Sequence, residues 1–287
     1  MKVIVLDGNA LGHREKYSMK GLSYDDMETG VIFGFMNELL RLAKMFETNK
    51  FVIAWDSKNS IRKEMYSPYK HKRKERVKTP EDKLLDDLAY KQFTMLRKEV
   101  LPNFGFKNVV VMNGYEGDDI IANIVLNNND MDMVIASNDE DMFQLLNHAP
   151  IYSLSKKKVY SKDNFIKDYG IFPNRWARVK AIAGCSTDSV EGIKNVGEKT
   201  AIKYLNDKLK KESKAYKAIV TSKESIKRNI ALVKLPLVVD GKEMKTIPIS
   251  FRGEVFTLDA FHILCDTYGF SSMKKNTNEW VKAFMMK

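Results

Sequence analysis

Four short runs rich in β-branched residues, KVIVLD (2–7), FVIAWD (51–56), NVVVMN (108–113) and DMVIAS (132–137), punctuate the first half of the chain. Between them lie helical patterns: an amphipathic stretch from about Met27 to Phe46, another from about Lys83 to Val100, and a third from Asp118. Strand and helix in alternation imply an α/β fold, a mainly parallel central sheet with helices on both faces. In open sheets of this kind, ligands bind outside the carboxyl ends of the strands. Asp7 closes the first run and Asp56 the second, Glu116, Asp118 and Asp119 follow the third, and Asp139 and Asp141 follow the fourth. All four strand ends are therefore expected to deliver carboxylates to one rim.

Taken singly, each acid has an ordinary reading. Asp118 and Asp119 suit the start of a helix, where the macrodipole favours negative charge. Asp139 or Asp141 suits a cap on the helix at MFQLL, and Asp7 with Gly8 suits a turn. Together, seven carboxylates on one rim repel one another unless cations sit among them, and clustered oxygen ligands suit Mg²⁺ or Mn²⁺. Hard metal ions beside a basic surface point to in-line hydrolysis of a phosphodiester.

The surface is basic. The 287 residues hold 48 Lys and Arg against 37 Asp and Glu, a net charge of +11, which makes a polyanion the expected partner. Hydrophobic content of 44% fits a folded chain throughout. Cys185 and Cys265 are far apart and lack metal-type spacing, so neither a disulfide framework nor a zinc site is expected, and a reducing cytoplasm is the simplest setting. The initial apolar run meets Asp7 too soon for a signal peptide, and no stretch is long enough to span a bilayer.

Between Ser57 and Glu81 the pattern lapses into a segment dense in Lys and Arg and interleaved with Tyr66 and Tyr69. It holds too little apolar material to bury a face, so it is expected to project as a loop or loosely helical excursion, or else to be a solvated charged loop. IYSLSKKKVY (151–160) reads as a hairpin, and from about Phe165 the pattern is mostly helical. No internal repeat or low-complexity linker separates the halves, which are expected to pack as one unit.

GIKNVGEKTA (192–201) imitates a nucleotide-binding P-loop, with Gly192, Gly197, Lys199 and Thr200. Glu198 intrudes before the lysine and no strand precedes the motif, so that reading fails. Two helices joined by a turn fit better, with Gly192 and Gly197 permitting close approach and helix-start N–H groups facing a phosphate. An ordinary helix-loop-helix corner fits as well. Asp188, just before the turn, reads as a further metal ligand or as a helix cap.

The motifs VLDGNAL, FVIAWDSKNSIRKEMYSPYKHKR, GYEGDDIIA, ASNDEDMFQLL and KAIAGCSTDSVEGIKNVGEKTA follow one another over nearly the whole chain. In that order they resemble the flap endonuclease/5′→3′ exonuclease family, which includes the 5′-nuclease domain of bacterial DNA polymerase I and free-standing phage enzymes. The resemblance implies a PIN-like nuclease core over 1–183 with a helical arch at 57–81. A helical DNA-binding region with a helix-hairpin-helix-type motif would then occupy 184–287. It implies a first metal set of Asp7, Asp56, Glu116, Asp118, Asp119 and Asp139, and a second of Asp141 and Asp188, some acting through bound water. Lys70 and Arg73 would act on the scissile phosphate together with Asp118 and Asp139, Tyr69 would stack on a base, and Lys72 would join the DNA contacts. Gly192, Lys194, Gly197 and Lys199 would grip the duplex backbone, with K⁺ held by main-chain carbonyls of the turn. Cys185 stands where the family carries an aspartate, and Ser189 where it carries an asparagine. A thiol is a poor ligand for Mg²⁺, which implies a weakened second site.

The implied activity is 5′→3′ exonuclease and 5′-flap endonuclease cleavage of DNA, removing primers or flaps in replication. Its substrates would be 5′ ends, flaps and branched duplexes, RNA–DNA primers included. The chain would act as a monomer, in the host cytoplasm if phage-encoded. Two other readings stand beside it: a branched-DNA binding protein with weakened or lost catalysis, marked by Cys185, and a Mg²⁺-binding phosphoacceptor module. The basic arch and the hairpin argue against the last.

Overall fold

The computed structural model describes residues 1–71 and 77–285. Its strands in chain order are β1 (Lys2–Asp7), a small hairpin β2 (Ser23–Tyr24) and β3 (Met27–Glu28), then β4 (Phe51–Trp55), β5 (Val109–Val111), β6 (Asp132–Ala136), β7 (Ile151–Ser153), β8 (Lys158–Tyr160) and a separate antiparallel pair, β9 (Gly184–Cys185) and β10 (Val190–Glu191). Six of them form one sheet in the order β5-β4-β1-β6-β7-β8, parallel except for β8. β1 is central because its inner residues, Val3 to Leu6, are apolar without interruption and fully buried on both faces. Ile4 and Leu6 enter the core on one side and Val3 and Val5 the core on the other, the two-residue period of a strand. The chain winds from β1 outward through β4 to β5, then returns to β1's other side with β6. That reversal beside β1 is where an open α/β sheet leaves a crevice.

The first core lies under helices Gly30–Phe46 and Pro80–Met95, the latter continuing through a wider π-type turn to Phe104. The last helices close the same core: Trp280 meets Phe104 and Phe261 with ring centroids at 5.7 and 5.2 Å. Helices Gly117–Asn127 and Trp176–Ala183 cover the second core, which the residues around Glu198–Leu205 extend. No helix among the described residues is long and apolar enough to cross a membrane.

Three local expectations change. The helix expected from Met27 starts at Gly30, because Met27 and Glu28 are taken by the hairpin. The one expected from Lys83 starts at Pro80, where Thr79 and Asp82 exchange capping hydrogen bonds and proline suits the first turn. The third change concerns the basic segment. Its beginning does not project: Ile61–Met65 is a short helix, Arg62 is 1% exposed and Tyr69 is 3% exposed. Buried carboxylates supply the partners that the apolar count left out. The calls on Lys72 and Arg73 lie outside the described residues.

Candidate active site

Each rim carboxylate is fixed by the backbone that delivers it. Asp7 ends β1 and caps helix Gly8–Ser18, accepting from Ala10 N–H at 2.8 Å and from the Ser137 hydroxyl at 2.8 Å. Asp56, just past β4, accepts from Gly117 N–H at 2.7 Å, while its own N–H donates to Asn9 Oδ1 at 2.9 Å. Glu116, Asp118 and Asp119 open helix Gly117–Asn127, where the dipole favours them. Asp139 follows β6 and caps a short 3₁₀ turn by accepting from Asp141 N–H at 2.8 Å. Asp188 lies in the turn Ser186–Asp188 and its main-chain carbonyl accepts from Lys70 N–H at 2.8 Å. The capping readings and the clustering thus describe the same residues.

Three cations of the chain stand among them. Arg62 makes a forked pair with the fully buried Asp119, with the second nitrogen at 2.7 Å, and its Nε donates to Leu232 carbonyl at 2.8 Å. Asp119 also accepts from Leu237 N–H at 2.8 Å. Its oxygens are therefore engaged by protein partners, and it anchors Arg62 beside the other acids. Lys70, at a left-handed φ of 56°, reaches Glu116 Oε1 at 2.8 Å. Tyr69 donates its hydroxyl to Glu116 Oε2 at 2.9 Å, so its ring is turned into the protein and is not presented for base stacking. Lys180 stands 3.4 Å from Asp141 Oδ1 and 3.4 Å from Glu198 Oε1.

The electrostatics divide the acids. Burial opposes ionisation of Glu116, but Lys70 and Arg62 outweigh it and hold the carboxyl below its ordinary range. Burial lifts Asp7 to about 7, helped by the charges of Asp56 and Asp139 against the Ala10 and Ser137 hydrogen bonds. Burial, then the Asp139 charge, lifts Asp141 to about 7 despite Lys180. Asp118 is raised well above the carboxylate range by burial and by Asp119. Buried Asp141 Oδ1 makes no hydrogen bond. Carboxylates that burial holds back from ionising, one of them with an oxygen that no hydrogen bond satisfies, fit hard divalent cations. Lys70 is held charged: Glu116 and Asp188 outweigh the burial that opposes it.

Arg62, Lys180 and Asn9 were not singled out by sequence. Arg62 is one cation in a long basic run, its one mark being arginine where a buried forked pair requires it. Lys180 interrupts the apolar run of a helix, a sign that it has a buried partner. Beyond the rim, Gly192 packs so tightly that a Cβ would lie 2.1 Å from Ala183 carbonyl oxygen, whereas Gly197 faces open space and begins helix Glu198–Leu205. Lys194 and Lys199 are exposed there.

A mainly parallel sheet with carboxylates gathered at its carboxyl edge makes this an α/β protein with a candidate cation site. The model of the family described as 5′-3′ exonuclease, N-terminal resolvase-like domain, matches residues 2–170, and the chain belongs to that family. It is 29% identical over 218 residues to a 5′-3′ exonuclease of Bacillus subtilis, covering 72% of this chain and 70% of that protein. It is 30% identical over 217 residues to DNA polymerase I of Streptococcus pneumoniae, covering 71% of this chain and 24% of the polymerase. The chain thus spans about a quarter of the length of its polymerase relatives. Its fold is similar to bacteriophage T5 5′-exonuclease with bound zinc (TM-score 0.72, 22% identity, 82% of this chain and 90% of that one). It is also similar to the catalytic core of Rad2 in complex with DNA (TM-score 0.60, 18% identity, 99% and 92%).

Two outcomes follow from the charges. Replacing Arg62 by Met strands Asp119 in the interior and should cost about 3–5 kcal/mol in urea unfolding; Arg62→Lys should recover only part of it. A loss below about 1 kcal/mol would show that the pair is not a fixed element. Because Asp7 and Asp141 rise from an ordinary 3.8 to about 7, the metal-free native state binds more protons than the unfolded chain across that window. Its melting temperature should therefore fall as pH rises through the window and level off above it, with Mg²⁺ restoring stability at the alkaline end. Asp7→Asn should flatten that slope; an unchanged slope in the variant contradicts the assignment.

Proposed function

We propose that the chain is a divalent-metal-dependent 5′-nuclease that hydrolyses DNA phosphodiesters, exonucleolytically from 5′ ends and endonucleolytically at flaps. The observation that supports it most is the delivery of fixed carboxylates from the ends of β1, β4 and β6 and from one helix start to a single rim, beside Lys70. Asp7, Asp56, Glu116, Asp118 and Asp139 would hold one ion, with Asp119 supporting them through Arg62, and Asp141 and Asp188 would hold another. Mg²⁺ or Mn²⁺ held there would supply Lewis-acid polarisation of a phosphoryl oxygen and would lower the pKa of a water so that it can act as a nucleophile near neutral pH.

The chain's own residues do the rest. Lys70, kept protonated on the rim, meets the negative charge that builds on the phosphoryl oxygens. Arg73 and Lys72 belong to the same basic segment, and that segment receives the single-stranded 5′ end electrostatically. Buried Tyr69 positions Glu116 by its hydroxyl. Lys194 and Lys199, with the N–H groups that open helix Glu198–Leu205, would contact the duplex backbone, and main-chain carbonyls of the turn before it would take K⁺. The same reading extends to primer or flap removal in phage replication, with RNA–DNA primers as substrates and the chain acting as a monomer. Cys185 supports one second reading, a branched-DNA binder with weakened cleavage.

An end-labelled 5′-flap duplex tests the choice. Cutting near the junction in Mg²⁺, abolished by EDTA and reduced at least about 100-fold by Asp139→Asn, is expected of a metal-assisted displacement. Lys70→Ala should lower turnover about 100-fold with little loss of duplex affinity. Tight flap binding without cutting in either Mg²⁺ or Mn²⁺ would replace this reading with the binder.

A further inference from the structure

Cys185 leaves the chain's sequence spacing uninformative, yet folding brings it to two acids. It ends the two-residue strand Gly184–Cys185, Asp188 follows in the next turn, and Asp141 arrives from behind β6. One ligand atom from each of Asp141, Cys185 and Asp188 lies within 4.8 Å of the other two. The Cys185 thiol donates to Asp188 Oδ2 with sulfur and oxygen 3.6 Å apart. Tetrahedral zinc with ordinary Zn–S and Zn–O bonds separates its sulfur and oxygen ligands by about 3.6 Å. An independent sign points to a ligand: Asp141 is 7% exposed, yet its buried Oδ1 makes no hydrogen bond. Lys180, 3.4 Å from that oxygen, already has Glu198 as a second partner at the same distance and can give way to a cation.

We propose that Asp141, Cys185 and Asp188 form a mixed thiolate–carboxylate site that takes a thiophilic divalent cation of the zinc class in preference to Mg²⁺. Three protein donors leave a fourth position open to water or a phosphate oxygen, the pattern of reactive and not of structural zinc. A thiolate is a soft donor and discriminates against Mg²⁺, whereas the all-oxygen set around Asp7, Asp56 and Asp118 does not. The rim would then hold two chemically different ions. Binding breaks the thiol S–H bond, and the proton leaves to solvent as the sulfur–metal bond forms. This deepens the proposed function by assigning the metal of its second site, and it rests on the rim being a metal centre, but not on DNA cleavage.

Co²⁺ titration of the metal-free full chain reads sulfur ligation directly, through sulfur-to-cobalt charge transfer in the near ultraviolet. A saturable band is expected, bleached by Zn²⁺ and untouched by equimolar Mg²⁺, absent in Cys185→Ser and kept in Cys265→Ser. Zinc affinity should fall about tenfold or more in Cys185→Ser, since even outer-shell partners of a metal cost that much. Cys185→Asp should lose the band and shift preference toward Mg²⁺, which serves equally well if the serine variant fails to fold. Saturable Co²⁺ binding without a sulfur band overturns the proposal and leaves the nuclease reading intact. No binding of Co²⁺ at all overturns both.

Discussion

Asp119 opens the Gly117–Asn127 helix in a fully buried position, and both its oxygens face the guanidinium of Arg62. That pair sets what its neighbours can do. With Asp119 neutralised inward, Glu116 and Asp118 on the same helical turn are the acids left to face the rim. Arg62 also ties the turn to the carbonyl of Leu232, at the far end of helix Lys223–Val233, so the carboxylates are positioned from both sides of the crevice. The desolvation of two charges is costly, and the fork with its added hydrogen bonds offsets it.

Around this anchor the chain supplies positive charge unequally. Glu116 has Lys70, Arg62 and a tyrosine hydroxyl, and ionises readily. Asp7 has only neutral hydrogen-bond donors, and Asp118 has Arg62 no nearer than 3.9 Å, so burial and the neighbouring carboxylates raise both. Under the proposed function, this imbalance among buried acids in a chain of net charge +11 suits a cation at the rim and a polyanionic substrate beside it. Stability of the metal-free chain and readiness to bind metal are therefore opposite sides of one arrangement.

Much of this was legible in sequence. The unbroken apolar runs of β1 and β4 imply strands buried on both faces, and the acids that end them follow from the carboxyl-edge rule. The sequence was less informative where burial depends on distant partners. Arg62 and Tyr69 look like parts of a solvated basic run, because their partners Asp119 and Glu116 lie more than 40 residues away in the chain. Cys185 meets Asp141 because antiparallel pairing of Gly184–Cys185 with Val190–Glu191 holds that turn beside the acids that follow β6. Spacing rules detect metal sites built from neighbouring residues, and this one is assembled from separate elements.

The most direct test is binding of Mn²⁺ to the metal-free protein, followed by loss of the free ion's paramagnetic resonance signal, in the wild type and in Asp118→Asn. A cation centre on this rim predicts saturable binding that weakens in the variant. Absence of saturable binding, or binding indifferent to Asp118, would contradict the account.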